Sequence, residues 1–172
     1  MLRLVVGLGP VVLGMSVMGC AEPVGEPIGT YSVTYSLVDN GCGTGAVYTL
    51  DGEVFGVELR HEDERGWWRP ADGMPMQGLY RDGEYAFALE KLVQLVPPEP
   101  DPDFGHPGCR VIQSELLSGN VLDDGLTGEH VMTLVPTGDS SCDLVMTGAG
   151  GPFQQLPCEI RYAYEGEPRD DF

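Results

Sequence analysis

TYSVTYSL, residues 30–37, decides the fold. Tyr31, Val33, Tyr35 and Leu37 alternate with Thr30, Ser32, Thr34 and Ser36. In an extended chain this puts the apolar side chains on one face and the hydroxyls on the other, whereas a helix would scatter both sets around its axis. The same period of two recurs in Phe55, Val57 and Leu59, in Tyr85, Phe87 and Leu89, and in Ile160, Tyr162 and Tyr164. Residues 91–96 are the one stretch that could start a short helix instead.

The punctuation between these runs is that of hairpins. Asn40-Gly41, Asp51-Gly52, Asp72-Gly73, Asp82-Gly83 and Asp124-Gly125 are dipeptides that tolerate the positive φ of tight type I′ turns. They place residues 47–50 against 53–60, 77–81 against 84–96, and 111–122 against 126–135. Hairpin after hairpin gives an all-β antiparallel meander of about eight strands, closing into an up-and-down barrel or packing as a β-sandwich. Tyr31, Tyr35, Phe55, Tyr85, Phe87 and Tyr162 on the inward face are bulky enough to fill a small barrel, so the interior is expected to be packed. The proline-rich PPEPDPDFGHPG, residues 97–108, reads as a long exposed loop. Gly29-Thr30-Tyr31 at the head of the first strand is similar to the G-x-W opening of the lipocalins, with Tyr in place of Trp. That resemblance implies a lipocalin-like barrel.

The first twenty residues are of another kind. Arg3 is followed by the uncharged, mostly apolar LVVGLGPVVLGMSVM of residues 4–18, the order of a secretory signal peptide. Gly7, Gly9, Pro10 and Gly14 make it a poor spanning helix. Val17-Met18-Gly19-Cys20 resembles the lipobox of bacterial lipoproteins. The resemblance implies cleavage before Cys20, diacylglycerol and acyl lipid on that cysteine, and a cell-envelope location. With Ala21 next, it favours the outer membrane over the inner. Two or more acyl chains anchor a protein stably where one does not. The expected organisation is a cleaved signal peptide over residues 1–19, a lipidated tether over 20–29, a β domain over 30–166 and an acidic tail over 167–172.

Cysteine number fits this scheme. There are five, and assigning Cys20 to lipid leaves Cys42, Cys109, Cys142 and Cys158, an even set suited to two disulfides in an oxidising compartment. Three connectivities are open. Cys142–Cys158 with Cys42–Cys109 is the expected one, since it ties neighbouring late segments and the end of the first strand to the middle of the chain.

Charge excludes one class of partner. Aspartate and glutamate number 27 against nine lysines and arginines, for a formal net charge of −18. Such a chain repels nucleic acid, and its acidity reads first as solubility. Three acidic runs carry histidine: His61 to Glu64; Asp101, Asp103 and His106; and Asp123, Asp124, Glu129 and His130. None has the spacing of a known calcium loop, so each reads as a solvated turn and no metal is expected. No G-x-S-x-G elbow, phosphate loop or CxxC pair is present, so no catalytic residue is assigned. The remaining signal is Trp67-Trp68-Arg69. Neighbouring strand residues face opposite ways, so one indole enters the core and the other lies outside with arginine as a contact patch.

The expectation is a monomeric, non-enzymatic, lipid-anchored envelope protein acting as a binding or structural module. It would have no cofactor beyond its lipid, and a membrane, an unidentified protein or a small molecule as partner. A lipocalin-like carrier of a small apolar ligand is the first alternative, and a surface hydrolase the second.

Overall fold

The computed structural model describes residues 24–46, 50–99 and 105–169. Its strands are β1 (Glu26–Asn40), β2 (Val54–Glu62), β3 (Arg65–Pro70), β4 (Met76–Arg81), β5 (Glu84–Val96), β6 (Cys109–Leu122), β7 (Gly125–Pro136) and β8 (Cys158–Pro168). Each pairs antiparallel with the next, and β8 pairs with β1, so the sheet is a closed eight-stranded barrel and not a sandwich. Closure depends on β1. Its first part, Glu26–Thr34, pairs with β2, and the stretch from Tyr31 to Asn40 pairs with β8. One strand engaged by two neighbours at staggered heights supplies the shear that a barrel requires.

Strand β1 opens at Glu26, inside the segment read as tether, because pairing with β2 continues back to Glu26 opposite His61. Strand β5 runs unbroken to Val96, since residues 91–96 hydrogen-bond along β6, so the helical alternative falls. Asp82-Gly83 forms the two-residue β4–β5 turn with both residues at positive φ, 52° and 87°. At the β6–β7 hairpin the turn is Asp123-Asp124, and Gly125 already belongs to β7, opposite Leu122. Residues 47–49, three of the four residues of one expected strand, lie outside the described residues.

The two ends of the barrel differ. Tight turns joining β2–β3, β4–β5 and β6–β7 form one end, the base. The other ends of the strands, where β1 leads toward β2, β3 toward β4, β5 toward β6 and β7 toward β8 through longer connections, form the mouth. The last of these folds over the rim through two single-turn 3-10 helices, Asp143–Val145 and Thr147–Ala149, and buries Val145 and Phe153.

Both disulfides are at the mouth, and their pairing corrects the expected one. Cys42 joins Cys158 and Cys109 joins Cys142, with Cα–Cα distances of 5.0 and 4.7 Å. The reason is closure. The β1–β8 ladder ends with Asn40 opposite Ile160, so two residues further along each strand Cys42 meets Cys158. The rim connection carries Cys142 back to the start of β6, where Cys109 begins the strand.

The base is filled by large side chains seated on glycines. Tyr164 lies opposite Gly128 and Tyr85 opposite Gly119 in adjacent strands. A Cβ at Gly128 would sit 2.4 Å from the Tyr164 hydroxyl oxygen, and one at Gly119 2.7 Å from that of Tyr85. The absent side chains leave room for the rings to lie flat across the next strand, the large–small alternation that small barrels use. Trp68 and Phe87 complete this layer, with ring centroids 6.1 Å apart. Tyr164 donates to the Tyr85 hydroxyl at 3.0 Å, and Tyr85 donates to the Thr127 carbonyl at 3.3 Å, so the buried hydroxyls are satisfied. Burial pushes the Tyr85 phenol up to about 12 and Tyr164 further in the same direction, so both stay neutral.

Candidate functional site

Above the aromatic layer the barrel is not filled. A cleft of about 250 Å³ opens toward the mouth. The inward residues of seven strands build it: Tyr35 of β1, Phe55 and Val57 of β2, Trp68 of β3, Met76 of β4, Leu89 and Lys91 of β5, and Glu115 and Leu117 of β6 with His130 of β7. Asp72 and Met74, from the β3–β4 connection, stand at its rim. The expectation of a packed interior therefore holds for the base and fails for the upper half. The six aromatics named from the sequence do not all stack at one height, and Phe55 is only half-buried.

Four polar side chains converge here because each sits at an inward position of its strand. Glu115 Oε1 accepts from Lys91 Nζ at 3.0 Å and from Gln113 Nε2 at 2.6 Å. Its Oε2 has only His130 Nε2, at 3.4 Å, with no properly formed hydrogen bond between them. The His130 ring contact, then Lys91 and its charge, hold the Glu115 carboxyl down at about 2 against the cost of burial, so it is ionised at neutral pH. His130 is 4% exposed, and neither ring nitrogen has a hydrogen-bond partner. Its ring packs edge-on to Tyr35, centroids 5.7 Å apart, opposite Tyr162 in the ladder. Tyr35 in turn meets Phe55 edge-on at 5.8 Å. Burial raises the Tyr35 phenol well above its usual range, so it too stays neutral. An apolar chamber with an ionised carboxylate and an unsatisfied imidazole at its wall is equipped to hold a small molecule by hydrogen bonds and charge.

The residues singled out from the sequence fall as follows. Cys20 lies outside the described residues. Trp68 is buried in the barrel, 3% exposed, so it is no part of an outer patch, and the Trp67-Trp68-Arg69 patch is corrected to its outward members. Trp67 is half-buried outside. It covers Gly25, where an added Cβ would lie 2.9 Å from the indole. Arg60 reaches the same segment, donating from Nε to the Gly25 carbonyl at 3.0 Å and to that of Val24 at 3.1 Å. Arg69 pairs with Glu58 at 2.5 Å, and Glu58 also pairs with Arg60. The outer tryptophan and arginines thus clasp the chain's own amino-terminal segment.

The acidic runs are separated by the fold. His61 to Glu64 close β2 and form its hairpin turn, and Asp123 and Asp124 form the β6–β7 turn. Glu129 points out toward Arg161 while His130 points in. Asp101 and Asp103 lie outside the described residues, and His106 accepts from the Gly108 backbone at 2.9 Å. Among the described residues no three ligand-type side chains gather as a metal site, and no helix is long and apolar enough to cross a membrane.

The group of Lys91, Gln113, Glu115 and His130 was not found from the sequence. Its signal, polar residues on a core-facing register, is blurred because the outer face of β6 carries Ile112 and Leu116 and that of β7 carries Val131 and Val135. With apolar residues on both faces, the period cannot tell in from out. Comparison with protein families, curated proteins and solved structures finds no match for the chain.

Proposed function

We propose that this chain is a lipid-anchored lipoprotein of the cell envelope, outer membrane favoured, whose barrel binds a small molecule in its mouth. The observation that supports it is the cleft: an inward chamber of about 250 Å³ with apolar walls and a charged, incompletely paired polar group. This moves the carrier reading ahead of the module with a filled interior. The volume lies just below the roughly 300–1,000 Å³ common for ligand pockets, which favours a compact molecule over a long acyl chain.

Position agrees with an anchored receptor. Glu26 starts β1 at the base, and the clasped Val24 and Gly25 precede it. A lipid on Cys20 would hold the base within roughly 20 Å of the membrane surface, given about 3.5 Å of reach per residue. The mouth would then face the aqueous side.

Native mass spectrometry of the full protein, extracted from the envelope in mild detergent, tests both halves. The expected spectrum shows a chain beginning at Cys20 with covalent lipid, plus a small non-covalent mass lost on denaturation. A chain retaining its first 19 residues, or lacking lipid, overturns the anchor. A bare protein that takes up no compound from a small-molecule library overturns the binding function.

A further inference from the structure

We propose that the mouth selects a compact primary amine with an aromatic or similarly apolar body. This rests on the small-molecule reading above and names the class of ligand. Three observations carry it.

The first is the unfinished coordination of Glu115. A carboxylate offers about four acceptor positions on two oxygens. Oε1 is used twice, by Lys91 and Gln113, while Oε2 meets only the His130 nitrogen at 3.4 Å. An ammonium brings three donors and a charge to the oxygen that has no fully formed hydrogen bond.

The second is the balance of charge at the cleft. Glu115 and Asp72 are acidic and Lys91 is the one cation among the lining residues. The whole chain adds a formal −18. A carboxylate ligand would approach against that field, and an amine with it. Lys91 does not close the site. Its side chain is 45% exposed, on a flexible stem, so it can yield Glu115 to an incoming ammonium and turn to solvent.

The third is the wall. Tyr35, Phe55 and Trp68 present ring surfaces, and Met74 and Met76 supply adaptable thioethers. Aromatic faces attract a cation within about 6 Å and also bury an apolar ring. His130, buried and without a hydrogen-bond partner, adds a polar atom at the same wall.

Three probes of one size and different charge separate the possibilities: phenethylamine, phenylethyl alcohol and phenylacetate. Each is titrated calorimetrically into the full chain. The expected order is amine, then alcohol, then acid, with the amine at least about ten-fold tighter than phenylacetate, a difference worth roughly 1.4 kcal/mol. Glu115→Gln brings amine and alcohol to within about two-fold of each other. Lys91→Met, at an exposed position that leaves folding intact, tightens the amine several-fold by removing its competitor. Phenylacetate binding tightest, or all three binding alike, overturns the amine class while leaving a small-molecule site. No binding by any probe to wild type or to Lys91→Met overturns the amine inference, and the library screen above then decides whether a site exists.

Discussion

A single methyl group is enough to test how the base is packed. At Gly128 it would sit 2.4 Å from the Tyr164 hydroxyl oxygen and 2.5 Å from the ring carbon bearing it. Gly128→Ala must displace that ring and also the Ser118 carbonyl oxygen, 2.3 Å from the added Cβ, and overpacking of this kind costs about 1–3 kcal/mol. Gly138, with nothing within 4 Å of an added Cβ, is the control. Urea unfolding is expected to lower the midpoint for Gly128→Ala and leave it unchanged for Gly138→Ala. The residue scale also sets a pH dependence. Glu115 falls from an ordinary 4.5 to about 2 in the folded protein, chiefly through His130 and Lys91. A depressed carboxyl stabilises the fold above its unfolded value and loses that contribution as pH drops. Wild type should therefore lose stability relative to Glu115→Gln as pH falls from about 4.5 toward 2. Denaturant midpoints across that range check it, and a constant difference would show that the pairing contributes nothing.

Strands and turns were legible one element at a time. Alternating apolar residues named the inward faces of β1, β2, β5 and β8, and Asp82-Gly83 located its turn to the residue. The β2–β3 turn escaped because Asp63-Glu64 carries no glycine, although Asp63 takes φ 53°. Leu37 fits the period of β1 yet lies outside the core, because that part of the strand has passed the region where β2 faces it. Disulfide pairing was illegible for a different reason: it depends on which strands meet at closure, a non-local fact. Its energetics are readable once the pairs are known. Cys42–Cys158 spans 116 residues and Cys109–Cys142 spans 33. Chain entropy makes the longer loop worth about 1 kcal/mol more. Replacing Cys42 and Cys158 together by alanine should lower the thermal midpoint further than replacing Cys109 and Cys142, as scanning calorimetry would read. The reverse order would mean that the rim connection held by Cys142 matters more than unfolded-chain entropy.

For the whole molecule, closure was one of two architectures the turns allowed, and the cleft was not visible at all. It arises where staggered strands carry Lys91, Gln113, Glu115 and His130 to one height, and no short window of sequence contains that height. Closure also has a consequence for where the chain begins. In a ring of eight strands, each bonded to two neighbours, the gap between β8 and β1 is only one seam among eight, and Tyr31 already lies opposite Pro168 across it. The ends can be moved. A permuted chain that joins Arg169 to Val24 through a flexible linker, and opens between Glu99 and Gly105, should refold with both disulfides intact, which circular dichroism and thiol titration would verify. Its new amino terminus would emerge at the rim. On the proposed reading, a lipid attached there would turn the vessel upside down, mouth to the bilayer, and comparison of the two orientations would tell whether a ligand reaches the mouth from the aqueous phase or from the bilayer.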